Sequence, residues 1–201
     1  DLKKKNWFNI GGKTKVFFKA DSLKELISFL KKLNNKERIF ILGAGSNTLI
    51  SDEIFDGVVI KLNKNFNNLS LLGDDIIIAG SAVLDKAVND FAIEKDLSGF
   101  EFLSCIPGTV GGGIRMNAGC FGKEFKDILI SIQVIDNLGN IKTIRSEDIK
   151  FEYRKNNLPE NLIFLSASFK GKKSKREYIL SETDKLKKEK EKNQPTRIKT
   201  S

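Results

Sequence analysis

The sequence predicts an α+β fold in two subdomains, and three observations carry that expectation. A capped amphipathic helix lies between two short apolar runs near the N-terminus. A strand-rich segment with a tight turn follows, and two glycine-dense stretches interrupt the apolar pattern. On this reading residues 1–65 form the first subdomain and residues 66–180 the second. Residues 181–201 form a connector helix and tail.

Residues 15–20 (KVFFKA) read as a short strand. Ser22-Leu23-Lys24-Glu25 then has the pattern of a capping box, with Ser22 as the N-cap and Glu25 reaching back. Leu23, Leu26, Ile27, Leu30 and Leu33 follow at helical spacing as one apolar stripe. Residues 38–42 are a buried-strand candidate, closed abruptly by glycines, and residues 58–62 give another strand, completing a βαβ-like block. In the second block, residues 76–79 read as a strand and residues 84–95 as a helix with the stripe Leu84, Ala87, Val88 and Phe91. Residues 128–135 and 141–144 flank Asn137-Leu138-Gly139-Asn140 as a hairpin. A last strand covers residues 163–170. A charged helix over residues 181–192, ended by Pro195, has little apolar surface with which to dock.

The 201 residues carry 35 Lys/Arg against 26 Asp/Glu, a net charge of +9. Residues 171–201 hold eleven of the former and five of the latter, so the basic excess belongs mainly to the tail. Within it, residues 185–192 alternate Lys with Glu and carry no aromatic, which suits a solvated helix face better than a nucleic-acid surface. No apolar run approaches the ~18 residues of a membrane-spanning helix. Histidine is absent, which excludes His-based triads, His metal sites and His pH switches within these residues. The two cysteines, Cys105 and Cys120, form neither a CxxC redox motif nor a zinc pattern, so no metal site is expected. The N-terminus Asp1-Leu2-Lys3-Lys4-Lys5 lacks the apolar core of a signal peptide, and a reducing, cytoplasmic setting is the simplest expectation.

The glycine-rich stretches carry the chemistry. In Gly43-Ala44-Gly45-Ser46-Asn47-Thr48, directly after a strand, the glycines let backbone N–H groups approach a phosphate, while Ser46 and Asn47 can add side-chain hydrogen bonds. A tight strand-end turn is the alternative. A Rossmann fingerprint is not, because Thr48 replaces the third glycine and no amphipathic helix follows. The second stretch begins Ile106-Pro107-Gly108-Thr109-Val110-Gly111-Gly112-Gly113 and continues to Asn117-Ala118-Gly119-Cys120-Phe121-Gly122. It lacks the Lys-Ser/Thr of a Walker A loop and is too apolar for a linker. It suits a backbone folded against a flat ligand, or a sharply turned core loop. Two phosphate-compatible loops in one chain favour a dinucleotide.

Four motifs occur in order: Asn6-Trp7-Phe8-Asn9-Ile10-Gly11-Gly12, LGAGSNTLISD at 42–52, LSGFEFLSCIPGTVGGGIRMNAGCFG at 97–122, and FEYR at 151–154. Together they resemble the UDP-N-acetylenolpyruvoylglucosamine reductase family. The resemblance implies an FAD-binding domain of the vanillyl-alcohol-oxidase type, with FAD held between two subdomains and a substrate domain beyond this sequence. Gly43, Ala44, Gly45, Ser46 and Asn47 would lie over the pyrophosphate. Ile106, Pro107, Gly108, Thr109, Gly111, Gly112, Asn117, Ala118 and Gly119 would line the flavin and ribityl chain. Arg154 would contact the enolpyruvyl carboxylate as the catalytic residue, with Tyr153 and Phe121 as further substrate contacts. In the residues alone, an Arg after Tyr153 at a strand end reads as a surface ion-pair partner. The implied reaction passes hydride from NADPH through FAD to the enol ether of a sugar nucleotide, followed by protonation of the adjacent carbon. The expected partners are therefore small molecules, with no nucleic acid and no membrane. A different flavoenzyme of the same fold and a non-catalytic FAD-binding fragment are the alternatives.

Three departures from the family pattern matter. Phe121 stands where Tyr is frequent, and Gly113 stands where Ala is usual, a change expected to affect flexibility more than chemistry. The family's Gly-Ser-x-Phe-Lys-Asn-Pro proton-donor motif and its C-terminal glutamate have no counterpart here, and Ser201 lacks the context to replace them.

Overall fold

The computed structural model describes residues 1–33 and 37–194. The expected stop at Pro195 and the tail after it, Ser201 included, lie outside the described residues. Strand β1 (Thr14–Ala20), helix α1 (Leu23–Leu30), β2 (Ile39–Ile41) and β3 (Phe55–Leu62) form the first layer. The strands are parallel in the order β1-β3-β2, with Val16 and Ile39 both opposite Val58. The central strand, FDGVVIKL, buries four residues in succession, as a parallel strand covered on both faces requires. Ser22 caps α1 by accepting from the Glu25 N–H at 3.2 Å. Glu25 reaches back to the Asp21 N–H at 2.9 Å rather than to that of Ser22, so the reciprocal bond is displaced by one residue.

The chain continues through β4 (Leu69–Leu72), β5 (Ile76–Gly80), α2 (Asp85–Glu94), β6 (Leu97–Ser98), α3 (Val110–Arg115), β7 (Gly119–Cys120) and β8 (Lys123–Glu124). It then forms β9 (Leu129–Ile135), β10 (Ile141–Arg145), β11 (Phe151–Glu152), β12 (Lys155–Asn156), β13 (Ile163–Lys170), β14 (Lys172–Lys173) and α4 (Arg176–Asn193). Five of these strands make one antiparallel sheet in the order β10-β9-β13-β5-β4. The predicted hairpin joins β9 to β10, and Asp136 closes its turn by accepting from the N–H groups of Leu138 and Asn140.

The antiparallel sheet is buried on both faces at its centre. Ile132, Val134, Phe164, Ala167 and Phe169 point into a large core with α2 and α3. Ile135, Ile163 and Leu165 point the other way, into a second core with Leu26, Leu30, Val58 and Ile60. Side chains that alternate across a strand are thus shared between two cores. Full burial of one such aliphatic side chain contributes about 1.5–3 kcal/mol.

Three expectations are corrected. The expected Val88 is buried, and Ala87 and Phe91 pack against the same core, but the fully buried face of α2 also includes Asp85, Asn89 and Ala92, whereas Leu84 lies before the helix and is exposed. The helix start is tied to the second glycine stretch by the Asp85 N–H bond to the Gly108 carbonyl and by the Leu84–Thr109 bridge, and this turns a half-polar face inward. Helix α3 occupies three glycines that disfavour helix, held by donation from Val110 to the Val83 carbonyl and from Gly111 to that of Ser81. Helix α4 starts earlier than expected and does dock. Ile179 and Thr183 are buried, Leu186 packs on the large core, and Lys190 donates to the Cys105 carbonyl.

Candidate functional site

The first glycine stretch leaves the β2 edge as an anion-sized concentration of amides. Leu42 donates to the Ile60 carbonyl and ends the ladder. Among the described residues, the backbone N–H groups of Gly43, Ala44, Gly45, Ser46 and Asn47 then have no protein acceptor. Successive unpaired amides of this kind form a nest for an anion. Gly45 has φ +71, and a Cβ there would lie 2.5 Å from the Lys5 carbonyl oxygen. The N-terminal motif supports the loop from behind, because Trp7 donates to the Gly45 carbonyl. Asn6 is buried and donates to the carbonyls of Leu2 and Ile10.

Lys61 is a residue that reading the sequence missed. Its Nζ donates to the Gly43 carbonyl at 3.0 Å. Burial, then Lys5 and Lys19, push its pKa down. Lys61 at the loop, with Lys5 and Lys19 near enough to act on it, raises the local positive potential beside the unpaired amides. The available signal was a lysine inside the otherwise apolar run of β3.

The structure brings the two glycine stretches together. Ser46, itself buried, donates through Oγ to the Pro107 carbonyl. A Cβ on Gly43 would lie 2.7 Å from Thr109 Oγ1. Gly108, Thr109 and Ile106 therefore border the same region as Ala44 and Asn47. The helical glycines divide by role. A Cβ on Gly111 would press on Ser81 at 3.1 Å, and one on Gly113 would overlap the Phe125 ring. Gly113 is thus a packing residue rather than a source of flexibility, which corrects the expectation. Gly112 is exposed, and a Cβ there would meet only Thr109 Oγ1, at 3.6 Å. The fit to a flat cofactor therefore rests on Gly112 and the unpaired amides.

Asn117 has no side-chain group to spare. Its Nδ2 donates to Glu124 Oε2 and the Glu152 carbonyl, and its Oδ1 accepts from the Lys126 N–H. Its backbone N–H and that of Ala118 are likewise committed, to the carbonyls of Ile114 and Gly113, and the Ala118 carbonyl accepts from the Phe125 N–H. Tyr153 and Arg154 form the tip of the β11–β12 hairpin rather than a strand end. Arg154 stacks 5.1 Å from the Tyr153 ring centroid, and its Nη2 lies 3.4 Å from the Gly119 carbonyl. Among the described residues it forms no ion pair. Asn117, Phe121 and Arg154 all adopt left-handed backbone, with φ of 40, 52 and 56°. Strained non-glycine residues gathered in one place mark a site whose surroundings over-determine it. Arg115, by contrast, is spent on structure, donating to the carbonyls of Leu158, Pro159 and Leu162 over the Phe164 ring.

Comparison with known proteins bears on this geometry. A family profile described as an FAD binding domain matches residues 14–145. The UDP-N-acetylenolpyruvoylglucosamine reductase of Pelagibacter ubique (strain HTCC1062) is 65% identical over all 201 residues, which span 67% of that protein. The protein of the same name from Rickettsia conorii is 45% identical over 200 residues, 68% of its length. The crystal structure of the Thermus caldophilus enzyme superposes with a TM-score of 0.83 at 29% identity, covering 94% of this chain and 67% of that one. A Cu,Mo-CO dehydrogenase chain shares the fold alone, with a TM-score of 0.58 at 14% identity. The α+β architecture is therefore that of an FAD-binding domain of the expected type, about a third of each relative remains unmatched, and the chain belongs to the UDP-N-acetylenolpyruvoylglucosamine reductase family.

Proposed function

We propose that this protein is the flavin-binding part of a cytoplasmic reductase acting on the enolpyruvyl group of UDP-N-acetylglucosamine enolpyruvate in peptidoglycan precursor synthesis, with NADPH as hydride donor. The observation that carries the reading is the run of unpaired amides from Gly43 to Asn47, flanked by Lys61 and joined to the second glycine stretch through Ser46. That arrangement suits a pyrophosphate at the first stretch and a flat ring system against Gly112. Residues 1–65 and 66–180 act as the two subdomains that hold FAD, and residues 181–201 as the connector.

FAD, when bound, supplies the hydride chemistry. The protein's own residues bind and orient. The amides of Gly43, Ala44, Gly45, Ser46 and Asn47 neutralise the pyrophosphate. The backbone of Ile106, Pro107, Gly108, Thr109, Gly111, Gly112, Asn117, Ala118 and Gly119 lines the flavin. Arg154 presents a permanently charged fork to the substrate carboxylate and to the charge that develops beside it, with Tyr153 and Phe121 completing the contact. Protonation of the adjacent carbon needs a positioned acid, and the family's serine and glutamate motifs have no counterpart in these 201 residues. The 201-residue chain is therefore expected to bind FAD without turning over substrate.

Titration with FAD tests the binding reading: flavin fluorescence should be quenched and the melting temperature raised, and no response at high micromolar FAD overturns it. Stopped-flow measurement of Arg154→Lys in a protein extended past Ser201 tests the catalytic role. Transfer to substrate should slow by about 30- to 150-fold, the loss of roughly 2–3 kcal/mol expected for a charge-assisted hydrogen bond, with flavin reduction by NADPH unchanged. Equal slowing of both steps assigns Arg154 to the flavin or the fold.

A further inference from the structure

Cys105 and Cys120 bracket the second glycine stretch, one directly before Ile106 and the other directly after Gly119. The fold brings these ends together: β7, which carries Cys120, packs against the 3-10 turn Glu101–Cys105. Both thiols are free, and each is near enough to perturb the ionisation of the other. Ser104 Oγ lies 3.6 Å from Cys105 Sγ, and Lys190 of α4 donates to the Cys105 carbonyl. Cys105 is buried, whereas Cys120 is half-buried and lines a cavity of about 290 Å3 together with Phe121, Lys123, Tyr178 and Glu182.

We propose that Cys105 and Cys120 are a peroxide-responsive thiol pair whose oxidation to a disulfide staples residues 106–119 into a closed loop. The electrostatics support this role. The neighbouring Cys120 thiol lowers the Cys105 pKa to about 6 against the opposing effect of burial, with Ser104, Lys190 and Lys187 assisting. The same coupling pushes the Cys120 thiol up, which makes Cys105 the more readily ionised of the two.

The step balances with a peroxide as oxidant. The Cys105 thiolate attacks one peroxide oxygen, the O–O bond breaks, and Cys105 becomes a sulfenic acid as hydroxide leaves. Cys120 sulfur then attacks the Cys105 sulfur, the sulfenic hydroxyl leaves with the Cys120 proton as water, and the hydroxide takes up the proton that Cys105 released to solvent on ionising. Two thiol sulfurs are oxidised, and one peroxide is reduced to two waters. A thiol reductant reverses the bond by exchange. The consequence for the cofactor rests on the function proposed above. A stapled 106–119 loop should hold FAD with slower dissociation, because the residues expected to line the flavin can no longer open.

The test exposes the purified protein to millimolar hydrogen peroxide, alkylates the remaining thiols and maps peptides by mass without reduction. The expected product is a Cys105–Cys120 linked peptide lacking two hydrogens, lost on dithiothreitol treatment, with a melting temperature about 5–10 °C above that of the reduced protein. In Cys120→Ser, dimedone should trap a sulfenic acid at Cys105. Both thiols still alkylated after peroxide, or sulfinic and sulfonic acids formed without a linked peptide, overturn the proposal, and the wild-type measurement suffices if the variant does not fold. FAD dissociation is read separately in the two redox forms. A linked peptide in a protein that binds no FAD in either form overturns the cofactor reading and supports the thiol pair. FAD binding without a linked peptide does the reverse.

Discussion

In the first glycine stretch Gly45 answers to the backbone, whereas in the second the glycines answer mainly to neighbouring side chains. Gly45 needs left-handed φ and lies against the Lys5 carbonyl. Its neighbours leave five successive amides without a protein acceptor. Gly111 and Gly113 sit in a short helix and are required by Ser81 and Phe125, with only Gly112 facing open space. Two stretches that look alike as text therefore differ in what each glycine does. One is an anion nest. The other is a close-packed ledge with one bare position in its helix.

Substitutions can break this comparison. Gly45→Ala should have the largest effect on folding, a loss of about 2–4 kcal/mol in urea denaturation, because left-handed strain adds to overlap with backbone that cannot step aside. An unchanged midpoint would show that the first loop relaxes and is no fixed nest. Gly113→Ala should cost about 1–3 kcal/mol by pressing on Phe125, whose ring is held edge-on by Phe102 and Phe169. The double variant with Phe125→Leu should recover part of that loss. If it recovers none, the packing role of Gly113 fails.

Asp85 sharpens the comparison from behind the second stretch. A Cβ on Gly108 would lie 2.8 Å from its Oδ2. Among the described residues neither carboxyl oxygen has a hydrogen-bond partner, and burial raises the Asp85 pKa well above the ordinary carboxylate value. At pH below the unfolded value, near 3.9, both states are protonated and the full stability is present. As pH rises toward the folded-state pKa, the unfolded chain ionises while the folded one resists, and stability falls. Asp85→Asn should therefore raise stability at neutral pH and flatten its decline above about pH 4. A parallel decline in both proteins, followed by denaturation across pH, would show that Asp85 is solvated. Gly112→Leu should change folding least, within about 0.5 kcal/mol, yet abolish FAD binding by titration. Retained FAD affinity would remove Gly112 from the cofactor surface.

The elements legible in the sequence were those whose signal is local. Ser22 and Glu25 mark the start of α1, Asn137-Leu138-Gly139-Asn140 marks the β9–β10 turn, and apolar runs mark β3 and β13, because caps, turns and strand runs depend on near neighbours. The order of motifs from Asn6 to Arg154 also carried the family, since it needs no coordinates. Tertiary contact decided the rest. Asp85 and Asn89 on the inner face of α2 break the apolar periodicity on which prediction relies, and α3 forms against the propensity of its glycines because Ser81 and Val83 accept its amides. The place of Lys61 beside Gly43, the packing of β7 on the turn that ends at Cys105, and the Ser46–Pro107 bond all join residues remote in sequence. Spacing along a chain cannot encode such pairs. They exist because β9 and β13 contribute side chains to both cores and so fix the two sheets against each other.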